Sequence, residues 1–526
     1  MVFNRQEESQ IMSYSRAYTA LCALLLFLSF PNAHAAEGFI INEDDSHFFM
    51  FRDPEEMTLE GLNAFVDQYE GTKVSHLFLC PNAQKASYRS AVWDAIWDMA
   101  PNQRVKEDES APIARRWMSN AKLLYDRGLD PYAAWITRCR EKGISPWLSM
   151  RMNDVHNVDD PDSYIHSRFW MDHPEYWRVP GGAGWTDRAF DYAIPEVREH
   201  HIKFIRELLE RYDPDGLELD WMRFGYHFAP GKEAEGGALL TQFMREVRAL
   251  TKAWSEKRGH PILLGARVPT LPAAAAGLGM DGPAWAKEGL VDMLVPTPFW
   301  ATADFDIPLE KWREIITGTG YNITLAAGIE ILLRAYPAAG QALNDIESVR
   351  GFAATCLHRG ADRIYTFNYM DPAPMAGGEP AYRTLLREGL ALETVIRLPR
   401  RHPVTYHDTV GPGMSSGVVL PADPAATPEF KLHIGPAPKE GQVIFLAALA
   451  DKPGVKETVL EAAVNGTPCT ALPDRETAEG FPGAVRALRF ECPLSAVTDG
   501  YNTVRVSRTQ EGQPQEIVWA ELQMRP

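Results

Sequence analysis

Cysteine is scarce: there are six in 526 residues, and one of them, Cys22, sits in an N-terminal apolar run. That excludes a fold built on disulfides, and none of the other five has the close spacing of a zinc site. Cys469 and Cys492 fall in one C-terminal segment where an oxidising compartment allows a disulfide, whereas Cys80, Cys139 and Cys356 read as buried thiols. Positive charge is also short. The 53 Lys and Arg against 70 Asp and Glu leave a net charge of −17, which argues against a general binder of nucleic acid or anionic membrane. Neither a Walker loop nor a dinucleotide fingerprint is present, which disfavours a nucleotide-using enzyme. No apolar run reaches the ~20 residues of a membrane span. The run at 20–30 follows Arg16 and precedes Ala33-His34-Ala35, a small-x-small pattern. Residues 1–35 therefore read as a signal peptide cleaved after Ala35, and the expected location is secreted or periplasmic.

What is present is enough apolar matter, 45% of the chain, for a large core. Short β-favouring runs at 38–41, 74–79, 146–150, 216–220, 262–267, 293–296, 323–328 and 363–367 alternate with amphipathic stretches such as 59–69, 132–142, 195–212 and 239–257. Eight such units predict an α/β chain, a (β/α)8 TIM barrel over 36–397. A doubly wound sheet is the alternative, but no Gly-rich phosphate loop follows the first strand. From residue 398 the helices stop and short strand-like runs take over, with Asn465-Gly466 as a tight hairpin signal. Residues 398–526 therefore read as a C-terminal β-sandwich domain that braces the barrel or binds glycan.

In such a barrel the chemistry gathers where the strands end. The fourth strand reads Leu217-Glu218-Leu219-Asp220, so period-two alternation turns Glu218 and Asp220 into the barrel, with Asp220 nearer the mouth. Glu218, one layer down, is expected to orient Arg151 or Arg223. On the seventh strand Thr324, Ala326, Gly328 and Glu330 share one parity, and the small residues are expected to leave a substrate cavity beneath the glutamate. Two carboxylates from different strands, Asp220 and Glu330, are the minimum equipment for cleaving a glycosidic bond. Asn153, Asn368 and Asp371 also end strands, and Trp221, Trp300 and Tyr369 are rim aromatics able to stack on sugars. Arg151, Arg223 and Arg267 suit hydroxyl, carboxylate or sulfate groups. The expected partner is a polysaccharide or oligosaccharide, an anionic one suiting the arginines, with no nucleic acid, no membrane after signal cleavage, no cofactor and no metal.

The run Asp191-Tyr192-Ala193-Ile194-Pro195-Glu196-Val197-Arg198, continued by Arg211-Tyr212-Asp213-Pro214-Asp215-Gly216 into Asp220, resembles the D-x-A-x-PEVR … RYDxDGxxxD signature of the hypothetical glycosyl-hydrolase-like barrels. His173-Pro174-Glu175-Tyr176-Trp177 is similar to the HPEW element of that group. The resemblance is specific over residues 145–225 and does not reach the sandwich. It implies a secreted barrel glycosidase with Asp220 at the acid position of the fourth strand. Glu218-Leu219-Asp220-Trp221 stands where relatives often have His-Phe-Asp-Asp, so neighbouring subsite residues are expected to differ.

Two other readings compete. A metal-dependent carbohydrate esterase or deacetylase would use Asp44, Asp45 and His47 as ligand types, but no His-x3-His partner follows. A non-catalytic glycan-binding surface protein would keep the barrel without turnover. For the hydrolase, Asp220→Asn and Glu330→Gln are each expected to abolish sugar release with the thermal midpoint nearly unchanged.

Overall fold

The computed structural model describes residues 38–370, 375–475 and 477–526; the leader read at 1–35 and Asp371 lie outside the described residues. Eight strands, β1 Phe39–Glu43, β2 Val74–Leu79, β3 Ser145–Arg151, β4 Gly216–Asp220, β5 Leu263–Pro269, β6 Met293–Thr297, β7 Thr324–Glu330 and β8 Arg363–Phe367, form a closed barrel. Each pairs in parallel with the next, and β8 closes onto β1. This is the expected (β/α)8 architecture, with strand limits within two residues of those read from the sequence.

Alternation along each strand divides two cores. Leu217 and Leu219 join the main core between strands and helices. Inside the barrel, Ile40, Phe78, Trp147, Met293, Val295, Ala326, Tyr365 and Phe367 form a separate apolar cluster, as expected of a barrel filled by side chains rather than hollow. Trp147 stacks on Phe78 at 4.7 Å between ring centroids, and its indole fills the space over Gly216, where an added Cβ would lie 2.4 Å from the ring. Gly216→Ala is therefore expected to cost about 1–3 kcal/mol by overpacking, read as a lower denaturant midpoint; an unchanged midpoint would mean the indole sits elsewhere. The same packing corrects the cavity expected beneath Glu330. Gly328 makes room for Thr297, whose Cβ would lie 2.5 Å from a Cβ at Gly328, and Ala326 belongs to the apolar cluster.

Helix α1, Pro131–Glu141, starts at Asp130, whose carboxylate accepts the backbone N–H groups of Tyr132 and Ala133. Helix α2, Pro195–Arg211, opens on a proline whose missing N–H costs nothing in the first turn. It buries Val197, His201, Ile202, Phe204, Ile205, Leu208 and Leu209 along one face. The segment joining α2 to β4 is pinned at the base of the barrel. The Tyr212 hydroxyl donates to Asp130 at 3.1 Å, Arg140 pairs with Asp213 and Asp215 at 3.0 Å, and Ser145 donates to Asp215 at 2.8 Å. These ties set the level at which β4 enters, and so the height of Glu218 and Asp220.

Beyond the barrel, strands β9 Arg400–Pro403, β10 Glu429–His433, β11 Gln442–Ala450, β12 Leu460–Val464, β13 Thr467–Pro468, β14 Thr470–Leu472, β15 Ala484–Cys492, β16 Tyr501–Arg508 and β17 Ile517–Arg525 make two antiparallel sheets. Their orders are β9-β17-β11-β15-β14 and β10-β16-β12-β13. Asn465 and Gly466, with φ of 49° and 81°, form the two-residue turn between β12 and β13. Arg401 of β9 ties the two parts of the chain, pairing with Glu521 on β17 at 2.7 Å and with Asp345 beside the barrel. Cys469 and Cys492 meet as thiols, with sulfurs 3.4 Å apart. Among the described residues no helix is long and apolar enough to cross a membrane.

Candidate active site

At the ends of the strands a layer of polar side chains covers the apolar barrel interior. Such groups are costly to bury unless they satisfy one another. Glu218, fully buried, accepts from the Ser149 hydroxyl at 2.6 Å and the Tyr365 hydroxyl at 2.8 Å, and Asn42 donates to the same Tyr365 oxygen at 2.7 Å. Burial, reinforced by the charge of Asp220, pushes the Glu218 carboxyl above the usual carboxylate range. The expected link from Glu218 to Arg151 or Arg223 is corrected: strand pairing sets Ser149 beside it, and Tyr365 reaches it from β8 across the barrel.

Asp220, the last residue of β4, is saturated with donors. Its Oδ1 accepts the backbone N–H groups of Met222 and Arg223 at 3.0 and 3.1 Å, and Oδ2 accepts Arg267 Nη1 at 2.6 Å. Arg267, on the neighbouring strand in register with Asp220, is buried and lies over the Phe367 ring at 4.1 Å. Glu330, the last residue of β7, is the opposite case. Its Oε1 accepts from Asn368 Nδ2 at 2.8 Å, while Oε2 is buried without a partner. Burial pushes its pKa up to about 7 against the opposing pull of Asn368, Arg223 and Arg267. Asn368 reaches the glutamate from a left-handed backbone conformation, φ 66°, at the end of β8, and the buried Tyr369 hydroxyl donates to the Glu330 carbonyl at 3.3 Å.

A cleft of about 320 Å³ opens beside this layer, lined by Asp44, Asp45, His47, Arg151, His156 and Arg223 among others. Arg151 is committed to the protein itself, bonded to Asp44, paired with Asp45 at 2.8 Å and with Asp154 at 3.3 Å. Burial opposes ionisation of Asp44, but Arg151 and Arg223 outweigh it and hold that carboxyl well below its ordinary range; burial wins at Asp45, which is held well above. Asp154 also supports His156, whose Nδ1 lies 2.8 Å from Asp154 Oδ1 and whose Nε2 faces Arg223 Nη2 at 3.3 Å. Arg223 thus lines the cleft on one side and acts electrostatically on Glu330 on the other. Of the three arginines expected to take substrate, Arg151 and Arg267 already carry carboxylate partners.

The aspartates and histidine considered as metal ligands are engaged elsewhere. Asp44 and Asp45 hold Arg151, and His47 Nδ1 sits 2.7 Å from Glu43 Oε2. Among the described residues no three His, Cys, Asp or Glu groups gather as a metal would need.

Three expected substrate contacts are structural, one of them Tyr369, which is fully buried in the core and presents no face to a sugar. Trp221 is fully buried against Tyr192, His227, Phe243 and Trp285, because the chain leaving β4 turns that side chain outward into the helix layer. Asn153 is a clamp: Nδ2 donates to the carbonyls of Phe190 and Tyr226, and Oδ1 accepts the Phe190 N–H, leaving nothing for a sugar. Trp300 is 43% exposed on the loop after β6. Sequence reading passed over Ser149, Tyr365 and the Asp154–His156 pair; the Asp-x-His spacing directly after a strand was the available signal for the pair.

No protein-family model matches the chain, and no curated protein matches it. Among solved structures it is similar to alpha-L-fucosidase isoenzyme 2 from Paenibacillus thiaminolyticus, at 13% identity and a TM-score of 0.39, over 62% of this chain and 45% of that one. A cycloisomaltooligosaccharide glucanotransferase from Paenibacillus sp. is similar at 9% identity and 0.35, over 93% of this chain and 58% of its own. A putative alpha-L-fucosidase from Bacteroides thetaiotaomicron is similar at 10% identity and 0.35, over 94% and 98%. The chain spans less than two thirds of the first two. These similarities are too distant to assign chemistry to this chain.

Proposed function

We propose that this chain is an exported glycoside hydrolase acting on a polysaccharide or oligosaccharide, with residues 1–35 as leader, the barrel over 36–397 as catalytic part and the sandwich over 398–526 attached to it. The observation that carries the reading is the contrast between two carboxyl groups at strand ends. Asp220 accepts three hydrogen bonds, one from a buried guanidinium, so both its oxygens act as acceptors. Glu330 is held protonated to about pH 7 with one oxygen free of any partner. A carboxyl group with both oxygens occupied as acceptors and another that keeps its proton to about pH 7 suit the roles of base and acid. Glu330 donates its proton to the leaving glycosidic oxygen as the C–O bond breaks. Asp220 either attacks the anomeric carbon, giving an ester that water then cleaves as the Glu330 carboxylate takes the water's proton, or takes a proton from a water that attacks directly. Arg223 lines the cleft and acts electrostatically on Glu330, which links the two.

A second reading, a glycan-binding barrel without turnover, draws support from the burial of both carboxyl groups, each about 1% exposed. Release of new reducing ends from soluble polysaccharides, sulfated and uronic types included, separates the two. Turnover that survives chelator and disappears in Glu330→Gln supports the hydrolase. Glycan binding with no release by the unsubstituted protein supports the second reading, and chelator-sensitive deacylation would return the esterase.

A further inference from the structure

Outward from the charged cleft the mouth carries a continuous run of aromatic rings. Phe224, directly after Arg223, sits edge-on to His156 with ring centroids 5.2 Å apart and lies 4.9 Å from Phe299. Trp185 stacks parallel to Phe299 at 6.0 Å and also meets Phe224 at 5.7 Å, and Trp300 continues edge-on from Phe299 at 6.0 Å. The loops after β3, β4 and β6 each contribute, although these residues are far apart in sequence. Trp185 is 49% and Trp300 43% exposed, while Phe224 and Phe299 are buried behind them. Two exposed indoles, one parallel and one perpendicular to the buried ring they share, form an apolar patch anchored from behind, which suits a ligand. The apolar face of a pyranose ring is flat enough to lie on such a surface, with its hydroxyls still in water.

A second observation concerns what holds this surface. Asp408 lies outside the barrel, in the segment that follows β9. Its carboxylate accepts the backbone N–H groups of Phe299, Trp300 and Ala301 at 3.0–3.2 Å. Three consecutive amides on one carboxylate fix the loop that carries two of the rings. The adjacent His407 is anchored in turn, its Nδ1 2.7 Å from Asp304 Oδ2.

We propose that Trp185 and Trp300, backed by the buried Phe299, form a sugar-stacking shelf continuous with the cleft, taking the part of a glycan chain that extends beyond the reacting bond, and that Asp408 is the positioning residue that holds it. The proposal rests on reading the cleft as a carbohydrate site. It gives the segment between β9 and β10, within the C-terminal part, a role in substrate binding, where the sequence left both bracing and glycan binding open.

The test is affinity electrophoresis of the full chain in gels containing soluble xyloglucan, laminarin, polygalacturonate or fucoidan. The unsubstituted protein is expected to be retarded by at least one of them. Trp185→Ala and Trp300→Ala are each expected to weaken that retardation at least about tenfold, and Trp300→Phe to restore most of it. Tyr321→Ala, an exposed ring at the opposite end of the barrel, is expected to change nothing. Asp408→Ala is expected to weaken binding, and to add little when combined with Trp300→Ala; a merely structural role would make the two losses add. Equal retardation of all variants, or none of the unsubstituted protein in any of the four gels, overturns the shelf. Retardation that depends on the tryptophans, in a protein that releases no sugar, leaves the shelf standing and removes the hydrolase reading.

Discussion

Glu330→Gln is expected to lower kcat on a natural glycoside by about 10²–10⁴-fold, the usual contribution of a positioned general acid. An amide keeps the size and one acceptor oxygen but has no proton to give. The loss should shrink to a few-fold on an aryl glycoside whose leaving group needs no proton, because that substrate bypasses the missing step. Equal losses on both substrates would show that Glu330 only shapes the site. The pH profile carries the same information: with a pKa of about 7, activity falls as pH rises through neutrality, and that limb disappears in the variant. Stability should follow with a definite sign. The unfolded glutamate titrates near 4.5 and the folded one near 7, so the folded state holds an extra proton between those values. Stability therefore falls as pH rises from about 4.5 to 7, by up to about 3 kcal/mol, and Glu330→Gln removes that slope. Urea midpoints at pH 4 and pH 8 measure it. An equal slope in both proteins would mean that Glu330 does not carry the shift.

Asp220→Asn should abolish turnover as well, but with a different cost. Arg267 is fully buried and its Nη1 donates to Asp220 at 2.6 Å. An asparagine carries one oxygen where the aspartate has two. If that oxygen faces Arg267, the amide nitrogen meets the N–H groups of Met222 and Arg223; turned the other way, it meets the guanidinium. Either choice sets donor against donor and leaves a buried charge without its counter-ion, so a loss of about 3–5 kcal/mol in unfolding free energy is expected. This revises the sequence-based expectation of an unchanged thermal midpoint for both acids. Adding Arg267→Met should recover much of the stability and none of the activity. A normal midpoint for Asp220→Asn alone would show that the ion pair is not what holds Arg267.

Much of the architecture was legible because alternation and barrel closure are local rules with global consequences. Period two along β4 was enough to turn Glu218 and Asp220 inward and Leu217 and Leu219 outward, and the structure has them so. The same parity carried one residue further turns Trp221 outward, so its place in the helix layer follows the rule and its reading as a rim aromatic did not. The small residues beneath Glu330 were read as an empty space, whereas Thr297 occupies it from the neighbouring strand. A one-strand pattern cannot report what the next strand contributes.

The amino-acid sequence alone determined the eight strand-helix units, the inward parity of the acids and the change of texture after residue 398, because these depend on residue type and spacing along the chain. Only the tertiary structure decided which carboxyl group is saturated and which has a free oxygen, that Arg151 answers to three aspartates, and that Asp408 reaches back to the Phe299 loop. Those outcomes depend largely on partners brought from other strands and loops and on burial, which makes a hydrogen bond or an unpaired oxygen strong enough to set a proton's position.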